Sequence, residues 1–398
     1  MKLKENDNVP EIRFDSFKEE WDKKRFKDFT KLSQGLQIAI SSRFLEDGEH
    51  RYFYITNEFL NPNSTKKYYI ESPSENVICT VDDILMTRTG NTGKVITNIS
   101  GAFHNNFFKV DYDKFETSKM FLYYLLTSND IQKEIIIRAG NSTIPDLNHS
   151  DFYSIKTSVP ALDEQTAIGA LFRTLDDLLA RYKDNLTNYQ SLKATMLSKM
   201  FPKDGQTVPE IRLDGFEEEW GKDTLEPYLT ESRISGDAGL TAKKITVKLW
   251  GKGVIEKEEK YAGSSNTQYF IRKGGQFIYS KLDFQNQAFG IIPNELNGYQ
   301  STLDLPTFDI QNIDSKFLLE YVMRREFYEY QGLIANGSRK AKRIHPEDFL
   351  VMPVRIPSIE EQQAIGAYFS NLDNLINSHQ EKISQLETLK KKLLQDMF

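Results

Sequence analysis

The sequence predicts an α+β protein: two mixed α/β domains separated by two long helices that form an antiparallel coiled coil, with an internal pseudo-twofold repeat. Three observations carry this. VPEIRFDSFKEEW, beginning at Val9, returns as VPEIRLDGFEEEW at Val208. VPALDEQTAIGALFRTLDDLLA, beginning at Val159, returns as IPSIEEQQAIGAYFSNLDNLIN at Ile356. SLKATMLSKMF, ending at Phe201, returns as TLKKKLLQDMF, ending at Phe398. Matched blocks in the same order mean two tandem half-proteins, since a solenoid would repeat about every 20–50 residues.

The repeats set the domain boundaries. Segment 1–21 is the first repeated block, 22–158 the first domain, and 159–201 a central long helix. Segment 202–220 is a linker with the second copy of that block, 221–355 the second domain, and 356–398 a C-terminal long helix. Trp21 to Val159 and Trp220 to Ile356 span nearly equal lengths, yet the residues between them are unalike. Faint echoes survive near the ends, where Gly140 aligns with Gly337 and Asp151-Phe152 with Asp348-Phe349. The two fillings therefore read as one fold carrying different surfaces.

In the first filling, RYFYIT, NVICTV, DILMTR, KVITNI and NFFKVD are rich in β-branched and aromatic residues, as strands are. In the second, KKITVKLW, TQYFIR and QFIYSK read the same way. One helix closes each set of strands, SKMFLYYLLTSNDIQKEI and SKFLLEYVMRREFYEYQ. Pro160 and Pro357 stand at the entries of the long helices, and Asp163-Glu164 and Glu360-Glu361 put acid where the helix dipole favours it. Ile168, Leu175, Tyr182, Tyr189 and Met196 then recur every seven residues, interleaved with Leu171, Leu178 and Leu192. In the second copy Ile365, Leu372, Leu386 and Leu393 keep the rhythm, interleaved with Tyr368, Leu375 and Leu389. Sustained heptads predict a coiled-coil seam, about 55–60 Å long at 1.5 Å per residue. Asn185 and His379 fall at core-type positions, where a buried polar residue would fix register. Each helix is the other's natural partner, so one chain imitates a homodimer.

Composition excludes several classes. A chain of 398 residues with 39% hydrophobic and 27% charged residues is globular, with neither the bias of disorder nor a run of apolar residues long enough to span a bilayer. The N-terminus has no apolar signal core, which predicts a cytoplasmic protein. The net charge of −6 sits almost wholly in the repeated frame: 22–158 is neutral and 221–355 slightly positive. An acidic total therefore does not exclude nucleic acid. The single cysteine, Cys79, forms no internal disulfide and reads as a small buried hydrophobe, and no pair among the five histidines has metal-ligand spacing.

No motif assembles an active site. Asn61-Pro62-Asn63-Ser64 lacks the second proline and the aromatic residue of an adenine methyltransferase motif. Gly90-Asn91-Thr92-Gly93-Lys94 lacks the first glycine of a phosphate loop and continues with Val95, where a hydroxyl is needed. Glu258-Glu259-Lys260 lies in a charge run, as solvated faces do.

Binding residues are more plentiful. Ser338, Arg339, Lys340, Lys342 and Arg343 form a basic loop suited to phosphates, and arginine also reads guanine edges. Lys281, Gln285, Asn286 and Gln287 follow a strand in the second filling. Arg88, Thr89, Asn91 and Lys94 do so in the first, with Asn105, Asn106, Asn141 and Ser142 in later loops. Asn and Gln pair bidentately with adenine, although turns rich in Asn and Gly also serve hairpins.

The arrangement resembles the specificity subunit of type I restriction-modification systems. The resemblance spans the chain and rests on VPEIRF and VPEIRL at the starts of the two halves, DDILMTRTGNTGK in the first filling, and the paired entries VPALDEQTAIGALF and IPSIEEQQAIGAYF. It implies two target-recognition domains, each reading one half of a split double-stranded DNA sequence. It implies no catalysis in this chain, and assembly with two methyltransferase subunits and two restriction/translocase subunits. S-adenosylmethionine, ATP and magnesium are then expected on those partners, with none in this chain. The second filling departs from the pattern: KGGQFIYSKLDFQNQ stands where DDILMTRTGNTGK would recur. The residues alone leave two alternatives open, a stand-alone methyltransferase or nuclease and a coiled-coil scaffold for other proteins.

Overall fold

The computed structural model describes residues 9–140, 143–237, 243–258, 267–333 and 343–398. The chain forms two compact units. One comprises Met1–Lys183 with Glu381–Phe398, the other Asp184–Gln380.

The first unit is organised by an antiparallel four-stranded sheet in the order Thr30–Gln34, Phe107–Tyr112, Ile84–Thr87, Val95–Thr97. Ile84–Thr87 is buried along its whole length because the side-chain period of two feeds two cores. Ile84 and Met86 face Phe108, Phe121, Leu122 and Leu125, while Leu85 faces Ile55, Cys79, Phe103 and Phe107. Burial pushes the Cys79 thiol up to about 11, with Asp83 adding to it. A second sheet runs Tyr69–Glu71, Arg51–Ile55, Gly101–Phe103, Ile78–Cys79. A two-stranded ribbon, Asp22–Arg25 against Lys156–Val159, closes the domain at its chain ends.

The second unit repeats this plan: Leu229–Glu231, Thr307–Ile310, Phe277–Tyr279, Phe289–Ile291 form its sheet, and Gly221–Thr224 pairs with Pro353–Ile356. Ile278 faces away from Phe277 and Tyr279 into a small core with Ile245, Val247 and Val254. Two short pairs, Ile245–Val247 with Val254–Glu256 and Phe270–Ile271 with Gln300–Ser301, replace the second sheet. Phe152 and Phe349 are both fully buried, in line with their alignment, whereas Gly337 lies outside the described residues.

Each helical stretch expected as one helix is two. Lys119–Thr127 and Asn129–Ala139 meet at Ser128, and Ser315–Met323 and Arg325–Gly332 meet at Arg324. Both junction residues take extended backbone (ψ 149° and 141°), and each donates its N–H three residues back, to Leu125 and Tyr321 respectively. The junction closes one helix and caps the next, a local arrangement that apolar periodicity does not register.

The long helices are Leu162–Lys199 and Ile359–Asp396. Within the first unit, Lys390 bonds Asp176 and Lys183 Nζ lies 2.7 Å from Glu387 Oε1, so the partners run in opposite directions. Within the second, Tyr189 meets His379 edge-on at 5.1 Å and Lys193 Nζ lies 2.7 Å from Asp373, again antiparallel. Ile168, Leu175, Ile365 and Leu372 are buried, and Tyr182, Tyr189, Met196, Leu386 and Leu393 are half-buried.

The interleaved positions differ from the sequence reading. Leu178, Leu192, Leu375 and Leu389 are exposed, and Leu171 and Tyr368 are half-buried at the edge. The inward positions fall four residues after each heptad residue rather than three. They are Phe172, Leu179, Leu186, Lys193 and Met200 in one helix, and Phe369, Ile376, Ile383, Lys390 and Met397 in the other. Leucine at the neighbouring position disguised the stripe, because lysine occupies one inward site in each copy. Asn185 is exposed, while His379 is half-buried with its Nδ1 2.9 Å from Leu375 O.

The thirteen-residue repeat anchors these helices. Arg13 forks onto Glu164 at 2.6 and 2.7 Å, and Arg212 onto Glu361 at 2.8 and 2.7 Å. Both glutamates are 2% exposed or less, so the acid in the first turn is a buried counter-ion rather than a solvated dipole partner. Gln165 accepts from Ser118 N and donates to Pro160 O; Gln362 accepts from Asp314 N and donates to Pro357 O. A glycine one turn on lets a second helix start close by. A Cβ on Gly169 would lie 2.9 Å from Phe121 N, and one on Gly366 3.1 Å from Phe317 N. The C-terminal Met-Phe pairs complete the anchors: Phe398 packs on Phe121 and Phe172, and Phe201 on Trp220, Phe317 and Phe369.

Candidate nucleic-acid interface

In the first unit the loop from strand Ile84–Thr87 to strand Val95–Thr97 is fixed by its own backbone. Gly90, Asn91 and Gly93 hold positive φ (62°, 68° and 87°), which glycine and asparagine accept most readily. Thr87 Oγ1 donates to Asn91 O and accepts from Lys94 N, while Gln132 Nε2 donates to Gly93 O. Arg88 N donates to Asn106 O at 2.8 Å, which joins this loop to the turn His104–Asn106. The guanidinium of Arg88 forks onto Asp146 at 3.0 and 2.6 Å and stands over the Phe108 ring. Asn105 Nδ2 donates to Gln37 Oε1, and Asn57 Nδ2 to Thr89 O. The buried Oδ1 atoms of Asn57 and Asn105 have no hydrogen-bond partner among the described residues. Unpaired buried acceptors are costly and mark a place where a donor from elsewhere gains most.

Burial, then the nearby arginine, holds two imidazoles below their ordinary range: His104 beside Arg43 and His149 beside Arg88. Both shifts favour the neutral imidazole. The first site therefore joins a half-exposed arginine already matched by a carboxylate to a cluster of side-chain amides. Lys94 and Asn91 are exposed at its edge.

The second unit builds a different surface at the corresponding sheet end. Lys281 O accepts from Ile344 N just as Arg88 O accepts from Leu147 N. That equivalence puts Arg343 where the first unit has Asp146. Arg343 Nε lies 3.8 Å from Asp304 Oδ1, and Lys281 has no ion pair among the described residues. Asp283 organises the rest: its carboxylate accepts from Ser280 Oγ and from Asn286 Nδ2, both at 3.2 Å. Gln287 is left-handed at φ 53°, and Gln285 is exposed, its stem against Gly332. Asn141, Ser142, Ser338, Arg339, Lys340 and Lys342 lie outside the described residues.

The structure thus brings together Arg88, Thr89, Asn105 and Asn106 in one unit, and Lys281, Asn286 and Arg343 in the other. Asn57, Gln37 and Asp146 join the first group without any local signal, since their partners are remote in sequence. Among the described residues no group of three or more His, Cys, Asp or Glu is placed to hold a metal ion, and no helix is long and apolar enough to cross a membrane.

The family described as the type I restriction modification DNA specificity domain matches this chain twice, over residues 18–188 and 237–388. The chain belongs to that family. The first match takes in both four-stranded sheets of the first unit, the second begins after strand Leu229–Glu231, and each runs through most of one long helix, so the specificity domain is the repeating element. The MjaVIII type I restriction enzyme specificity subunit of Methanocaldococcus jannaschii is 22% identical, over 99% of this chain and 96% of its own length. The crystal structure of a type I restriction-modification S subunit from M. genitalium covers 98% of this chain and 99% of its own at 15% identity and a TM-score of 0.64, a likeness of fold.

Proposed function

We propose that this chain is the DNA specificity subunit of a type I restriction-modification complex and that each unit reads one half of a split duplex target. One observation carries the reading: equivalent sheet ends on matching anchors present unlike polar groups. Arg88–Asp146 with Asn105 offers amides and a tempered cation, whereas Lys281, Arg343 and Asn286 offer two cations and an amide. Side chains of these kinds read base edges and meet phosphates.

In this reading the chain performs no chemistry. It directs two methyltransferase subunits and two restriction/translocase subunits in the cytoplasm, and those partners hold S-adenosylmethionine, ATP and magnesium. The repeated anchor, alike in both units, offers each methyltransferase copy the same chemistry. Exchanging residues 22–158 for the corresponding segment of another member of the family tests this. The expected result is a methylation motif altered in one half and unchanged in the other; alteration of both halves, or neither, contradicts it.

A further inference from the structure

The second unit carries a residue whose placement neither packing nor the assigned loops account for. Of the three tryptophans, Trp21 and Trp220 are 4% and 2% exposed, whereas Trp250 is 57% exposed. It sits at the tip of the hairpin Ile245–Val247/Val254–Glu256, in the turn Lys248-Leu249-Trp250-Gly251-Lys252-Gly253. Its φ is +60°, a conformation that bulky side chains avoid.

The strain is held by three contacts. Trp250 N donates to Asn286 O at 2.8 Å, Gly251 N to Gln287 O at 3.0 Å, and Lys248 N to Gly253 O at 2.8 Å. Gly251 also lies tight against Met323, where a Cβ would fall 2.1 Å from Cε. The root of the hairpin is buried through Ile245, Val247 and Val254. A firm support therefore presents a large apolar ring to solvent beside the Asn286–Gln287 loop. Lys248 and Lys252 flank it, both exposed, and the turn contains no acid. Strained backbone that persists because its surroundings fix it is a feature of ligand-contacting sites.

We propose that Trp250 is a DNA-contacting residue: its indole presses on a base or deoxyribose face while Lys248 and Lys252 meet the neighbouring phosphates. Proteins insert apolar side chains against bases and combine them with cations in this way. The proposal rests on the reading of the second unit as a DNA reader. It is particular to that unit. In the first, the contact to the reading loop comes from Asn57, and the nearby Phe59, 45% exposed, leans edge-on against Phe53 at 5.7 Å between ring centroids, whereas Trp250 has no aromatic contact among the described residues.

The acrylamide-quenchable part of the chain's tryptophan emission reports on this residue, since the other two indoles are buried. A duplex carrying the split motif should change the emission and shield it from acrylamide; one with the second unit's half-site scrambled should do so much less. Trp250→Ala should weaken binding about 10-fold, and Trp250→Phe should recover most of the loss. Unchanged emission with DNA bound, or undiminished binding by Trp250→Ala, overturns the proposal and leaves the reading of the unit standing. Absence of binding to any duplex by the wild-type chain, followed by anisotropy of labelled DNA, overturns both. Should Trp250→Ala fail to fold, the wild-type emission and the Phe variant decide.

Discussion

At the anchors the two units share the same ion pair, glutamine and glycine, while at the sheet ends they reverse charge. Arg13–Glu164 and Arg212–Glu361, Gln165 and Gln362, and Gly169 and Gly366 occupy equivalent places with equivalent partners. At the reading end, Asp146 in one unit is answered by Arg343 in the other. The anchors must satisfy the same buried groups twice, so their chemistry is fixed by folding. The loops face solvent, where folding tolerates exchange and different ligand chemistry can be carried.

The anchors themselves differ in one place, and that difference gives the largest expected effect. Trp21 Nε1 donates to Glu164 at 3.1 Å, whereas the buried Trp220 Nε1 has no partner among the described residues. Glu361→Ala strands Arg212 and should cost about 3 kcal/mol. Glu164→Ala should cost about 1 kcal/mol more, because a buried indole N–H is orphaned as well. Urea unfolding of the two variants checks the order; equal losses would show that the Trp21 bond contributes nothing. Next in size, Gly169→Ala and Gly366→Ala force a methyl against the start of a neighbouring helix and should each cost about 2 kcal/mol. The two losses should be similar, since Gly169 comes closer to the neighbouring backbone while a methyl on Gly366 would meet Asp314 Oδ1 at 2.6 Å.

A third comparison lies under the long helices. Asp176 with Lys390 and Asp373 with Lys193 are equivalent pairs, but the third partner is Tyr124 in one unit and Glu320 in the other. Burial lifts Tyr124 above its ordinary range, and its bond to Asp176 adds to this. Burial likewise lifts Glu320 above the usual carboxylate range, against the pull of Lys193. Burial lowers Lys193, but Glu320 and Asp373 together outweigh it and leave the lysine raised. The partners thus point different ways: one ammonium shared by two carboxylates stays charged, while the deeper carboxyl resists ionisation.

The sign follows for stability. A carboxyl raised in the folded state binds its proton more tightly there, so ionising it opposes folding as pH climbs from the ordinary glutamate range through the raised value. Glu320→Gln should therefore gain on the wild type as pH rises from about 4.3 toward 7. Denaturation series across that window measure it, and a difference independent of pH would contradict it. Smallest of all, Asp146→Asn frees Arg88 for a phosphate and should steepen the salt dependence of DNA binding by about one counterion. An unchanged slope would place Arg88 away from DNA.

Much of the frame was legible in the sequence. Repeated blocks marked the halves, β-branched runs marked the strands, and the seven-residue rhythm marked the long helices. The interleaved seam was not legible, because Leu178 and Leu375 sit beside the true inward positions and look equally apolar. The role of Glu164 was hidden for a different reason: an acid in the first turn suits the dipole whether or not an arginine from the chain's start reaches it. At the candidate site the loops could be listed but not assembled. Arg88 meets Asp146 across 58 residues of sequence, and only the closed sheet brings them together. Trp250 ends the strand-like run KKITVKLW, and nothing in that run distinguishes an exposed tryptophan from a buried one.

Co-expression of the chain with a type I methyltransferase subunit, followed by single-molecule mapping of adenine methylation on genomic DNA, tests the central claim most directly. The account predicts a motif of two short specified halves around an unspecified spacer, lost when this chain is omitted. A motif that persists without the chain, or methylation with no motif, would contradict it.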